Sequence, residues 1–309
     1  MYLILLLFIE KKTINTVHII RSTRISLIQH LVNYFTNHGY NLSIIDIKNE
    51  RQLNQYIAKF RNDVVEYVVF SNGTDKLDRR IYKTLKTINP DQKFLFSENA
   101  WLSWQDFIYL DPLGIGNESE LYNFTLEDIK NYKINVAQVE YCTNLMKTLL
   151  SVGTNCEYEN YILVPLQVDN DSKLLIGSPH FKTVRSFVDY MIDITPKDIN
   201  IFFKNHPNNR NKVDIPTLDN VKDITNSRAS KKALIKNSIF VAGINTTFLI
   251  ESMFLKHKTV TYGLDVFSNK NIIIEGYRKD FDTIVGSKID NILRDNFIKI
   301  LMSKQVAKV

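Results

Sequence analysis

The sequence predicts an α/β fold of two Rossmann-like domains facing a cleft, and three observations predict it. Short apolar, β-branched runs alternate with stretches of helical apolar spacing through most of the chain. Such alternation implies parallel sheets with helices on both faces. The series runs once, loosens, and starts again after a polar linker, Gly153 to Asn160. With 309 residues the chain has room for about two domains. We place the boundary between residues 155 and 156, giving domains 1–155 and 156–309.

In the first half, Thr16–Ile20 reads as a strand. Arg24–Asn37 has helical spacing (Leu27, Ile28, Leu31, Val32, Phe35) and stops at His38-Gly39. Asn41–Ile47 is a strand and Glu50–Phe60 a helix. Val64–Phe70 is a buried strand ending in the turn Ser71-Asn72-Gly73. Leu77–Ile88 is a helix closed by Asn89-Pro90, and Lys93–Phe96 is a fourth strand. The aromatic stretch from Trp101 to Asn117 carries no clear element, and one connecting helix is expected over Leu126–Leu150.

In the second half, strands are expected at Tyr161–Val168, Ile199–Phe203, Val221–Ile224, Ile239–Ala242 and Thr259–Tyr262. Helices are expected at Phe181–Ile192, Ser227–Lys236 and Ile289–Met302, with another opening after Asn245.

Composition narrows the function. Hydrophobic residues are 44% and charged residues 23%, as in ordinary globular proteins. The net charge of +6 is mild and suits an anionic substrate or an anionic membrane surface. Neither zinc-finger spacing nor an arginine-rich arm points to nucleic acid. Cys142 and Cys156 form no CxxC pair and no metal set, which suggests a reducing, cytoplasmic setting. The apolar segment Met1–Ile9 is about half the length that spans a bilayer. It reads as an extra strand or a membrane-skimming segment, so peripheral contact with the inner face of a membrane is part of the expectation.

The chemistry-bearing residues follow the strands, where ligands of doubly wound folds sit. In Val241–Val260, Asn245 is expected to cap a helix with Thr246 and Thr247 in its first turn. Free N–H groups there suit a phosphate. Glu251 lies one helical turn beyond Thr247 and is placed to reach a ribose hydroxyl. His206, in Lys204-Asn-His-Pro207, is presented at the end of a strand that Pro207 terminates, and it and Lys204 can serve a phosphate. Glu98 follows the fourth strand as a candidate general base or nucleophile. Trp101 and Trp104 offer either a stacking face for a sugar or core packing.

Gln167, Asp171 and Ser172 follow the first strand of the second half. Asp169-x-Asp171 looks like a metal-binding pair, but a hydrogen-bonding loop fits better and no metal is expected. Arg21-Ser-Thr-Arg24 brings positive charge without a glycine-rich loop, so the dinucleotide fingerprint is absent. The basic stretch Ser227–Lys236 reads as a solvated face, and no resident cofactor is implied.

Four ordered pieces together resemble the capsule polysaccharide biosynthesis family, whose members include Kdo transferases that use CMP-Kdo. They are Ser97-Glu-Asn-Ala-Trp-Leu102 with Asp111-Pro-Leu-Gly-Ile-Gly-Asn-Glu-Ser119, Val164-Pro-Leu-Gln-Val-Asp-Asn-Asp-Ser172, Lys204–Pro207, and the block opening at Asn245. Ala100 stands where the family has glycine, Asn205 where it has proline, and His257-Lys258 where Gly-Lys-Pro would fall. The resemblance implies a GT-B type fold with an acceptor-side N-terminal domain and a C-terminal donor domain. It implies a metal-independent glycosyltransferase that uses a nucleotide sugar, CMP-linked in preference to UDP- or GDP-linked, and a glycan or glycolipid acceptor. Glu98 and His206 would be the catalytic residues. Lys204, Pro207, Asn245, Thr246, Thr247, Glu251, Gln167, Asp171 and Ser172 would bind the donor. A catalytically inactive nucleotide- or glycan-binding remnant of the same fold is the alternative.

Overall fold

The structure, a computed structural model, describes residues 15–21, 27–103, 105–169, 171–207 and 212–308. Met1–Ile9, Ser22 to Arg24 and Trp104 lie outside the described residues. By compactness the chain divides into a unit ending at Leu95 and a unit running from Phe96 to Lys308.

The first unit holds β1 (Thr16–Arg21), α1 (Ile28–Asn37), β2 (Asn41–Asp46), α2 (Glu50–Phe60), β3 (Tyr67–Phe70) and α3 (Lys76–Ile88). β1 lies between β2 and β3 and pairs in parallel with both, Ile19 standing opposite Ile44 and Val69. A strand covered on both faces must be apolar throughout, and Val17, Ile19 and Ile20 are fully buried. The edge strand β2 is only partly covered. α1 buries Ile28, Leu31 and Phe35, one face at helical spacing. Asn49 and Asp75 start α2 and α3 by accepting the N–H groups of Gln52 and Asp78. The third strand begins at Tyr67 rather than Val64, whose side chain is exposed. Arg21 does not present a free charge: its guanidinium pairs with Asp46 on the neighbouring strand.

The boundary between the units falls inside β4 (Lys93–Asn99). From Phe96 onward β4 pairs antiparallel with β5 (Phe107–Asp111), a strand formed where the sequence shows no clear element. The turn between them places Ser103 in the left-handed region at φ 54°. The expected single helix over 126–150 is two, α4 (Leu126–Asn131) and α5 (Val136–Leu150). Tyr132 turns extended after α4, and Asn135 caps α5 by accepting the Gln138 N–H.

The second sheet then begins. Its elements are β6 (Tyr161–Pro165), α6 (Ser172–Gly177), α7 (Val184–Ile194), β7 (Asn200–Lys204), β8 (Val221–Asp223), α8 (Lys231–Asn237), β9 (Ser238–Gly243), α9 (Thr247–Phe254), β10 (Thr259–Thr261) and β11 (Ile274–Glu275). The strand order is β11-β10-β9-β6-β7-β8 and every pair is parallel. The chain leaves β6 for β7 on one side and later returns to β9 on the other. β6 and β9 therefore flank the topological switch point. Ile162, Val164, Phe203, Phe240 and Ala242 fill the core beneath it.

The chain finishes with α10 (Phe281–Gly286), α11 (Asn291–Lys304) and β12 (Gln305–Ala307). α11 packs on α4 and α5. β12 adds antiparallel to β5, with Gln305 opposite Tyr109. This return ties residues 96–150 into the second unit. Both expected Rossmann-like parallel sheets are present. Among the described residues no helix is long and apolar enough to cross a membrane.

Candidate functional site

All the side chains that follow belong to the second unit. At the switch point Gln167 extends from the end of β6 and Asn245 from the end of β9, and both are buried. Gln167 Nε2 donates to Asn245 Oδ1 at 2.8 Å, and the Asn245 backbone N–H donates to Gln167 Oε1 at 3.3 Å. Asn245 Nδ2 donates to the carbonyls of Lys173 at 2.7 Å and Leu264 at 3.2 Å. These bonds fasten three loops together.

Asn245 is not the cap of α9. Thr246 takes that place with an extended backbone, its hydroxyl accepting from the Phe248 N–H at 3.4 Å, and Thr247 is the first helical residue. Both residues have the chemistry of a cap. The bonds made by Asn245 decide between them.

Glu251 is buried on α9, and Lys231 Nζ donates to both of its carboxylate oxygens, at 2.6 and 2.8 Å. Lys231 comes from the first turn of α8, which Ser230 caps by accepting the Ala233 N–H. It is therefore more than a member of a solvated face. No local pattern announces it, because its partner lies on another helix.

At the end of β7, Lys204 Nζ donates to the Thr225 carbonyl at 3.2 Å. The buried Asn205 pins its loop by donating to the Val213 carbonyl and accepting the Val213 N–H, at 3.1 and 3.0 Å. His206 is half-buried and Pro207 is exposed. Burial holds the His206 imidazole below its ordinary pKa; Asp171 opposes that shift and Lys231 adds to it. Burial also lowers Lys204, with Asp223 opposing and Lys231 adding. His206, Lys204, Lys231 and Asp171 thus share one electrostatic neighbourhood.

The Asp169-x-Asp171 carboxylates both serve the backbone. Asp171 caps α6 by accepting the Lys173 N–H at 2.8 Å, and Asp169 accepts the Val184 N–H at 2.6 Å. Among the described residues no three His, Cys, Asp or Glu side chains could hold a metal ion. The first turn of α6 presents Ser172 and then Lys173, whose buried ammonium lies 3.3 Å from the buried carboxylate of Asp265. Sequence reasoning misses this pair as well, since its members are far apart in the chain.

Glu98 is buried near the end of β4. One carboxylate oxygen accepts the Asn99 N–H at 2.8 Å, and the other lies 3.5 Å from the Ser172 hydroxyl. Tyr109 stands opposite Glu98 on β5. Burial first, then the carboxylates of Glu98, Asp265 and Asp111, hold the Tyr109 phenol well above its ordinary pKa. Ala100 is buried without a left-handed backbone, so its methyl group brings no strain. Trp101 is buried and stacked on Tyr109 at 4.0 Å, which makes it core rather than a sugar platform.

The geometry therefore joins Glu98 to Ser172, Gln167 to Asn245, and Glu251 to Lys231, while Lys204 and His206 stand at the end of β7. A carboxylate near a set of cations can accept a proton or attack carbon while the cations receive a departing anion.

Residues 125–277 match the family model described as capsule polysaccharide biosynthesis protein. All the residues above except Glu98, Asn99, Ala100, Trp101, Tyr109 and Asp111 lie inside that span. Protein FixF of Sinorhizobium fredii is 27% identical over 120 residues, 38% of this chain but only 29% of FixF, so the match spans under a third of that relative. Among solved structures, the β-Kdo 2,7 transferase of Thermosulfurimonas dismutans KpsC superposes with a TM-score of 0.61 at 15% identity, over 95% of this chain and 96% of that one. The β-Kdo 2,4 transferase of the same KpsC gives 0.59 at 14%, over 91% and 89%. The fold is of the GT-B glycosyltransferase type, and residues 125–277 belong with the capsule polysaccharide biosynthesis proteins.

Proposed function

We propose that the chain is a glycosyltransferase that moves an acidic sugar, Kdo or a close relative, from a CMP-activated donor to a glycan or glycolipid acceptor in surface polysaccharide synthesis. The observation that carries this reading is the approach of Ser172, at the head of the capsule-family loop, to Glu98 at 3.5 Å. It brings a carboxylate to the start of α6, the helix that follows β6.

In the transfer, an acceptor oxygen bonds to the anomeric carbon while the bond from that carbon to the CMP phosphate oxygen breaks. The electron pair leaves with the phosphate. Glu98 takes the acceptor proton, or attacks the anomeric carbon first and is displaced by the acceptor. Lys204 and His206 face the departing phosphate, with the N–H groups of Thr246 and Thr247. The Lys204 cation and these N–H donors let the reaction run without a metal. Both cysteines are free thiols, which suits work in the cytoplasm, at the inner face of a membrane.

A thermal-shift series with CMP, UDP and GDP, followed by transfer assays with CMP-sugars, tests the proposal. CMP should raise the unfolding midpoint of the wild type and of Glu98→Gln, and should fail to do so for His206→Ala. Glu98→Gln should lower transfer by about 10²- to 10⁴-fold. Stabilisation by UDP or GDP alone would exclude a CMP-linked donor.

A further inference from the structure

Lys231, the partner of Glu251, is assigned by none of the family motifs above. The setting of the pair is unlike a surface ion pair. The Glu251 carboxylate is 9% exposed and the Lys231 side chain 43%, so the acid is interior while the ammonium reaches solvent. Glu251 accepts two of the three hydrogen bonds that an ammonium can donate, which leaves one direction open. Beside the pair lies a pocket of about 160 Å³, walled by Ser103, Gln105 and the last turns of α5. Lys231 also acts electrostatically on both His206 and Lys204. Lys173 differs: it is buried against Asp265 and reaches no solvent.

Resting on the nucleotide reading above, we infer that Lys231 is a further phosphate-binding residue of the donor site, and that Glu251 acts through Lys231 by holding its ammonium in place. Two cations, Lys204 and Lys231, and the His206 imidazole then meet a phosphate that carries up to two negative charges. Both Glu251 oxygens are already engaged by Lys231, and its contribution passes through the ammonium it orients.

Calorimetric binding of CMP and of cytidine isolates the phosphate. In the wild type CMP should bind more tightly than cytidine. Lys231→Met should reduce the CMP-to-cytidine affinity ratio at least tenfold, and Lys231→Arg, with its unfolding midpoint near that of the wild type, should restore most of it. Glu251→Gln should lower the ratio while cytidine binding stays unchanged. An unchanged ratio in Lys231→Met overturns the inference and leaves the nucleotide reading standing. Equal weakening of CMP and cytidine in Glu251→Gln returns Glu251 to the ribose and overturns it too. A wild type that binds neither compound overturns the nucleotide reading itself.

Discussion

Two polar clusters share the carboxyl ends of the strands in the second sheet, and they follow opposite rules. Around Gln167 and Asn245 the amides are buried and bonded to one another or to backbone carbonyls. Around Lys204, His206 and Lys231 the groups are basic and only partly covered. Buried neutral groups with complete hydrogen bonding make a rigid scaffold, because breaking any one bond strands a partner. Half-covered basic groups at neighbouring strand ends favour an anion, which is the condition of an anion site. The difference teaches that conspicuous polar residues at strand ends divide into those that hold the loops and those that the loops display.

The largest expected effect tests the scaffold side. Lys173→Met leaves the buried Asp265 carboxylate without its cation. Breaking a buried pair in this way costs about 3–5 kcal/mol, which urea unfolding will measure. Lys173→Met with Asp265→Leu should recover most of that loss, since a buried pair replaced by apolar groups is often neutral. A single-variant cost below about 1 kcal/mol would move Lys173 to the displayed group.

The two histidines make the same comparison at smaller scale. Burial lowers both. At His206 a carboxylate, Asp171, opposes the shift. At His257 the imidazole is bonded to the Ser238 hydroxyl at 3.0 Å, its neighbours are Lys236, Arg294 and Lys258, and its pKa is pushed down to about 4. Above pH 6.5 His257 is neutral folded and unfolded, and its contribution to stability is full. As the pH falls from 6.5 toward 4 the unfolded chain takes up the proton first, and stability is lost. At pH 5 the loss is about 2 kcal/mol. Urea midpoints at pH 7 and pH 5 should show that loss in the wild type and a smaller one in His257→Gln. Equal losses would mean that His257 titrates normally.

Much of this was legible in the sequence because apolar period reports burial. β1 and β6, covered on both faces, read as continuous apolar runs, and α1 and α2 read by their spacing. β12 and α6 were hidden by their length, three and six residues. β5 was hidden by the aromatic turn before it. In the site, Glu98, Gln167, Lys204 and His206 were visible because each lies at or just past the end of a strand. Lys231 and Asp265 were not, since their partners are brought to them by the tertiary fold. Asn245 was misassigned as a cap because Asn and Thr share that chemistry, and only the bond network separates them.

The smallest expected effect bears on that last distinction. Thr246 caps α9 through a long bond of 3.4 Å to the Phe248 N–H. Loss of a cap costs about 0.5–2 kcal/mol, and the length of this bond argues for the low end. Thr246→Ala should therefore lower stability by about 0.5 kcal/mol, and Thr246→Ser should restore it, as read by urea unfolding. If Asn245 were the cap, Thr246→Ala would leave stability unchanged. The CMP-induced thermal shift then places Thr246 in the comparison. A shift that survives Thr246→Ala assigns the hydroxyl to the scaffold beside Asn245. A shift lost for so small a cost in stability assigns it to the displayed group beside His206, since a scaffold defect of that size could not abolish binding.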